Sequence, residues 1–111
     1  MDSATAARDR LKTMLAEIDR SIGILAGEPV AVRDRSSADA GSDLTDADRV
    51  QAMVTAASAH RRAVVEALGR VDDGTYGECV DCRKPVPEGR LEARPEAARC
   101  VQCQSRKERR R

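Results

Sequence analysis

Cys79-Val80-Asp81-Cys82 and, after an insert of seventeen residues, Cys100-Val101-Gln102-Cys103 decide how this chain is read. Two residues between paired cysteines let both thiolates reach one tetrahedral ion at ~2.3 Å, and a longer insert folds back to present the second pair. These pairs use all four cysteines of the chain, so no thiol is left over. Cys79, Cys82, Cys100 and Cys103 are therefore the expected ligands of one structural Zn²⁺. Four protein thiolates close the coordination sphere and leave no position for water, so catalytic zinc is not expected. A redox role for one pair would want a strand before it and a helix starting at it, and the sequence suggests neither.

Around this centre the chain has little to build a core from. Of its 111 residues 41% are hydrophobic, but Phe and Trp are absent and Tyr76 is the sole aromatic. So small an apolar stock needs a staple, and a metal supplies one. Upstream, residues 4–26 place Leu11, Leu15, Ile18, Ile22 and Leu25 at steps of four and three, a helical seam. Gly27 and Pro29 are its stop. Residues 28–44, rich in Ser, Asp, Gly and Arg, read as a long loop. A second helix is expected from Thr45, with Thr45 and Asp48 resembling a capping box, to about residue 72. Its seam is Val50, Val54, Ala57, Arg61, Val64, Leu68 and Val71, broadened by Met53 and Val65, with Arg61 near an open end or snorkelling. Gly74 and Gly77 allow the sharp turn into the cysteines.

The fold class that follows is mainly α: an antiparallel helical hairpin (coiled coil), then a small four-cysteine zinc knuckle with a short C-terminal helix. Residues 1–73 form the hairpin arm, with a tip loop at about 28–44. Residues 74–111 form the zinc-finger knuckle and a basic tail. Charge divides along the same lines. Residues 28–48 carry two Arg against six acids, a net of −4, whereas residues 79–111 carry ten Lys or Arg against five acids, a net of +5.

No stretch approaches the ~20 apolar residues of a membrane span, and residues 1–10 lack the apolar run of a secretory signal. A cytoplasmic location is the expectation, and in that reducing compartment paired cysteines hold metal rather than form disulfides. No Ser-His-Asp set, Gly-rich phosphate loop or paired carboxylate appears, so an enzyme is not expected. His60 stands alone and reads as a flank residue. In the insert, Arg90-Leu91-Glu92-Ala93-Arg94-Pro95 reads as a turn and short helix packing Leu91 on the arm, with Arg90 and Arg94 available to a partner.

The run Asp73-Gly74-Thr75-Tyr76-Gly77-Glu78-Cys79, then Cys82, then the Arg90 to Pro95 segment, then Cys100-x-x-Cys103, resembles the DksA/TraR family in order and spacing. The resemblance implies a bacterial transcription regulator that binds RNA polymerase directly, inserting its coiled coil into the secondary channel, and in some members acting with ppGpp. Acidic residues at the arm's tip carry the effect in that family, usually two aspartates three apart followed by a small residue. Here Asp43-Leu44-Thr45-Asp46 keeps that spacing, but Asp48 stands where alanine is expected. The other register puts Thr45 first and Asp48 second, and both remain open. The expected partner-binding residues are thus Asp43, Asp46, Asp48, Arg90 and Arg94, on a monomer that does not read DNA sequence. The competing function is a nucleic-acid-binding zinc module that uses the basic C-terminal region.

Overall fold

The stepped apolar residues do form two long helices. The computed structural model describes residues 3–27 and 40–110. Helix α1 is Ser3–Gly27, α2 is Ala40–Asp73, α3 is Glu88–Ala93 and α4 is Val101–Arg109. Among the described residues there is no strand, only an isolated antiparallel bridge between Glu78 and Pro85. No described helix is long and apolar enough to cross a membrane. The fold is mainly α: a helical hairpin followed by the cysteine knuckle.

The chain separates into two compact units, Met1–Leu15 with Arg62–Arg111, and Ala16–Arg61. In the first, Leu11 and Val64 are fully buried, with Ala67 and Val71 beside them in the core. The Arg8 guanidinium donates to Asp72 Oδ1 at 3.0 Å across the two helices. In the second, Ile18 is buried while Ile22, Leu25, Val50, Val54 and Ala57 are half-buried. There Arg61 Nε donates to Asp19 Oδ1 at 2.6 Å. Both pairs join α1 to α2 in the antiparallel sense. Within the second unit the Asp19–Arg61 pair sets the register.

That register explains where the predicted seam departs from the observed one. Arg61 does not snorkel over apolar surface; Asp19 engages it, and the hydrogen bond and charge raise its pKa. Met53 is 48% exposed, not part of the stripe, because the register sets it opposite Gly27, the last residue of α1. Val65 is 41% exposed on the outer face, and Ala67 takes the buried place the pattern missed.

The start of α2 also differs. It begins at Ala40, not Thr45, so Thr45 lies inside the helix and is not its N-cap. Residues 40–44 contain no proline, so the ladder extends further back than the cap signal suggests. Asp46 accordingly pairs within the helix, accepting from Arg49 at 3.3 Å. The rest of the predicted loop, 28–39, and the side chain of Asp43 lie outside the described residues.

Helix α2 ends as the glycine predicts. Gly74 has φ +81°, its N–H donates to Val71 O at 3.3 Å, and Thr75 N–H donates to Arg70 O at 2.9 Å. These two bonds are the Schellman pattern that satisfies the last carbonyls of a helix.

Candidate metal centre

The turn after α2 positions the first cysteine pair. Gly77, at φ +91°, sends the chain into a tight loop in which Cys79 N–H donates to Lys84 O at 2.8 Å and Arg83 N–H donates to Cys79 O at 2.9 Å. Closing that loop requires Arg83 at φ +68°, a conformation that glycine adopts without cost. The second pair rides on α4. Cys100 is its N-cap, with extended backbone, and Cys103 sits in its first turn.

Five consecutive carbonyls before Cys100 are held in place by the rest of this unit. Tyr76 Oη donates to Pro95 O at 2.9 Å, and Arg70 reaches Glu96 O at 3.4 Å and Ala97 O at 3.5 Å. Val80 N–H donates to Ala98 O at 2.9 Å and Arg90 Nε to Arg99 O at 2.9 Å. Arg10 adds a bond to Glu92 O at 2.9 Å. Burial pushes Tyr76 up and Arg70 down from their ordinary pKa values, as it does for any group taken from water. Sequence reading did not identify Arg70 or Tyr76 as holding this segment. The only signal was that both precede the first cysteine in a chain with one aromatic.

The four sulfurs converge. Cys79, Cys82, Cys100 and Cys103 place their Sγ atoms all within 4.8 Å of one another. The Cys82 and Cys100 sulfurs are 3.9 Å apart. Sulfurs bound tetrahedrally to zinc stand about 3.8 Å apart, the edge that Zn–S bonds of ~2.3 Å require, so the set fits one ion. Cys79 and Cys103 are buried, Cys100 is half-buried and Cys82 is exposed. Burial raises the Cys79 thiol, but the backbone N–H groups of Cys82, Cys100 and Asp81 outweigh it and bring the pKa down to about 6. The N–H of Cys103 holds Cys100 below its ordinary value. Cys103 is pushed up to about 12 by the Cys100 sulfur and by burial. Four thiols crowded this closely cannot all ionise unless a cation joins them.

Around the sulfurs the core is slight: Cys79, Val86 and Cys103 are its buried residues, with Leu91 and Cys100 packed against them. Short helix α3 delivers Leu91 to the knuckle's own core. Residues 74–109 match the prokaryotic dksA/traR C4-type zinc finger.

The knuckle, residues 74–109, is a zinc finger of the DksA/TraR family. Its centre is a C4 site for one zinc ion, which, when bound, crosslinks the two halves of the knuckle. Two curated relatives, the RNA polymerase-binding transcription factors DksA of two Caulobacter vibrioides strains, are each 37% identical to this chain over 81 residues. That alignment takes in 73% of this chain and 52% of each relative, so the chain spans about half the length of the curated relatives it matches. The structure of transcription factor DksA2 from Pseudomonas aeruginosa superposes with a TM-score of 0.85 at 27% identity, over 96% of this chain and 84% of that one. This likeness takes in hairpin and knuckle together.

The remaining predicted site residues are dispersed. Arg90 is half-buried and committed to Arg99 O, so its guanidinium braces the zinc finger. Arg94 is exposed. Asp46 and Asp48 stand on α2 before the point that pairs with the end of α1, Asp46 half-buried and Asp48 exposed.

Proposed function

We propose that this protein is a bacterial transcription regulator that binds RNA polymerase directly at the secondary channel, its hairpin entering the channel and its acidic residues modulating initiation. The observation that carries the reading is the likeness to transcription factor DksA2 over 96% of this chain, hairpin included. The curated relatives are RNA polymerase-binding transcription factors, which supports the same reading. In this reading residues 1–73 are the inserted arm and residues 74–111 the zinc-bound foot and tail, and the chain acts as a cytoplasmic monomer. Cys79, Cys82, Cys100 and Cys103 hold the zinc, and no catalytic step is involved.

The effect on transcription rests on Asp43, Asp46 and Asp48, whose charge suits basic channel walls or a metal-bearing centre. Arg94 is a contact at the rim. Arg90 contributes indirectly, by fixing the segment that carries Arg94 and Cys100.

Replacing Asp43, Asp46 and Asp48 together with asparagine tests this directly. Polymerase binding should stay within about threefold, since charges at an interface tune rates more than affinity. The change in transcript yield at a responsive promoter should vanish. Unaltered regulation by the triple variant would remove the acidic residues from the mechanism. Loss of binding competition with another secondary-channel ligand would remove the channel. Running the assay with and without ppGpp tests the alarmone link that the family resemblance implies.

A further inference from the structure

A groove of about 450 Å³ opens between the first cysteine loop and α4, lined by Val80, Asp81, Arg99, Arg106, Lys107 and Arg110, with Cys103 bordering it. Arg106 and Lys107 lie on α4, Arg110 is its C-cap, and Arg99 belongs to the segment that leads into Cys100. Arg106 and Arg110 are one turn apart, and like charges at that spacing weaken a helix unless something negative lies between them. The acid of α4, Glu108, is turned to Gln104, whose Nε2 donates to it at 2.9 Å, and it does not line the groove. Asp81 is the one carboxylate there, and it is engaged by Arg99 Nε at 2.7 Å. Among the described residues no acid pairs with Arg106, Lys107 or Arg110.

Two ordinary explanations account for part of this charge. Cations near a helix C-terminus complement its dipole, which fits Arg106, Lys107 and Arg109 but not Arg99 or the concavity. Cations also offset a zinc tetrathiolate, which carries −2 in all. With Asp81, that centre still leaves the four cations in excess. The chain as a whole is nearly neutral, with a formal charge of +1, so any hold on a polyanion must be local.

We propose that this groove binds chains of phosphate, and does so without the polymerase. Three of its four cations are arginines, whose flat forks match phosphate oxygens two at a time. Its volume takes a run of a few phosphates, and Val80 is its one aliphatic wall residue, so it lacks the apolar anchor around which a protein interface forms. It has no aromatic wall either. Tyr76 is committed to Pro95, so bases have nothing to stack on and recognition is indifferent to sequence. A nucleic-acid backbone and free polyphosphate share this chemistry. Neither Arg90 nor Arg94 lines the groove, which separates it from the residues assigned above to the polymerase.

The zinc-loaded full chain is titrated against a fluorescent random-sequence duplex at low salt, by anisotropy, with tripolyphosphate and polyglutamate as competitors. Binding should fall with salt at a log–log slope of about −3, close to −0.9 for each of three phosphates contacted. The variant Arg106→Gln with Lys107→Gln and Arg110→Gln should lose about tenfold or more, whereas the charge-matched Lys84→Gln with Arg94→Gln and Arg109→Gln should keep its affinity. Asp81→Asn, which frees Arg99 and removes the groove's acid, should tighten binding several-fold. Competition by tripolyphosphate at micromolar concentration identifies free polyphosphate as the occupant; competition only at millimolar concentration identifies nucleic-acid backbone. Equal losses in the two triple variants, equal competition by polyglutamate, or absence of binding at low salt would overturn the proposal. So would a groove variant that keeps its duplex affinity but surrenders zinc to a chelator, because the cations would then serve the metal.

Discussion

At the scale of single residues, the sulfur centre and the carbonyls beside it set testable chemistry. With the knuckle folded and no ion bound, the Cys79 pKa of about 6 lies below its ordinary 9.0, so its contribution to stability is complete above 9.0 and is lost as pH falls through about 6. Cys103, raised to about 12, contributes in the opposite sense: it favours the fold below 9.0 and is lost as pH rises through 12. Zinc reverses the second effect by demanding a thiolate from Cys103. Loading zinc-free protein, whose knuckle is not folded, at neutral pH should therefore release protons from the cysteines as they become thiolates, and zinc affinity should weaken as pH falls. Calorimetric zinc titrations in buffers of different ionisation heat measure that release; identical heats in all buffers would contradict the assignment. A neighbouring residue gives a second test. Tyr76→Phe removes the donor to Pro95 O and nothing else, and should cost about 1 kcal/mol in urea denaturation of the zinc-loaded protein.

Among the elements, the helical hairpin was legible because its seams repeat at steps of three and four, and burial follows them at Leu11, Ile18, Val64 and Val71. The cysteine spacing likewise announced a four-sulfur site, and the sulfurs do converge. What the pattern could not supply was pairing. Arg61 sits in the seam by spacing, yet its partner Asp19 lies 42 residues away in sequence, and no periodicity reveals that. The role of Arg70 was hidden for the same reason, since its acceptors are backbone carbonyls that carry no residue signature. The start of α2 was misplaced because Thr45 has a cap-forming side chain, but residues before it also tolerate helix. The register makes a quantitative contrast between two seam positions. Leu11→Ala, at a fully buried site, should cost about 2–3 kcal/mol. Met53→Ala, at a site 48% exposed, should stay within about 0.5 kcal/mol. Urea midpoints of the two variants at saturating zinc check the pair; a Met53 effect as large as that of Leu11 would mean the register is wrong.

For the whole molecule, the question is how stability is distributed between apolar burial and metal. The hairpin's buried residues, Leu11, Ile18, Val64, Ala67 and Val71, are all carbon side chains that need no ion. The knuckle's core cluster is Cys79, Val86 and Cys103, and two of those three are metal ligands. Removing zinc therefore takes away most of what holds residues 79–103 together, while the hairpin keeps its own core. Binding free energies on the order of 10 kcal/mol for structural zinc exceed anything that Val86 and Leu91 can supply by burial, at roughly 1.5–3 kcal/mol each. Chelation at neutral pH should then abolish amide protection from Cys79 to Cys103, with α3 and α4 lost from the far-ultraviolet signal. Most α1 and α2 helicity should survive at low temperature and melt earlier, since two helices alone are marginal in water. Hydrogen exchange before and after chelation, with recovery on adding one equivalent of zinc, reads this out by segment. Retained protection of Cys79 and Cys103 in zinc-free protein would show that the knuckle folds on apolar contacts, and the metal would then be a passenger in it.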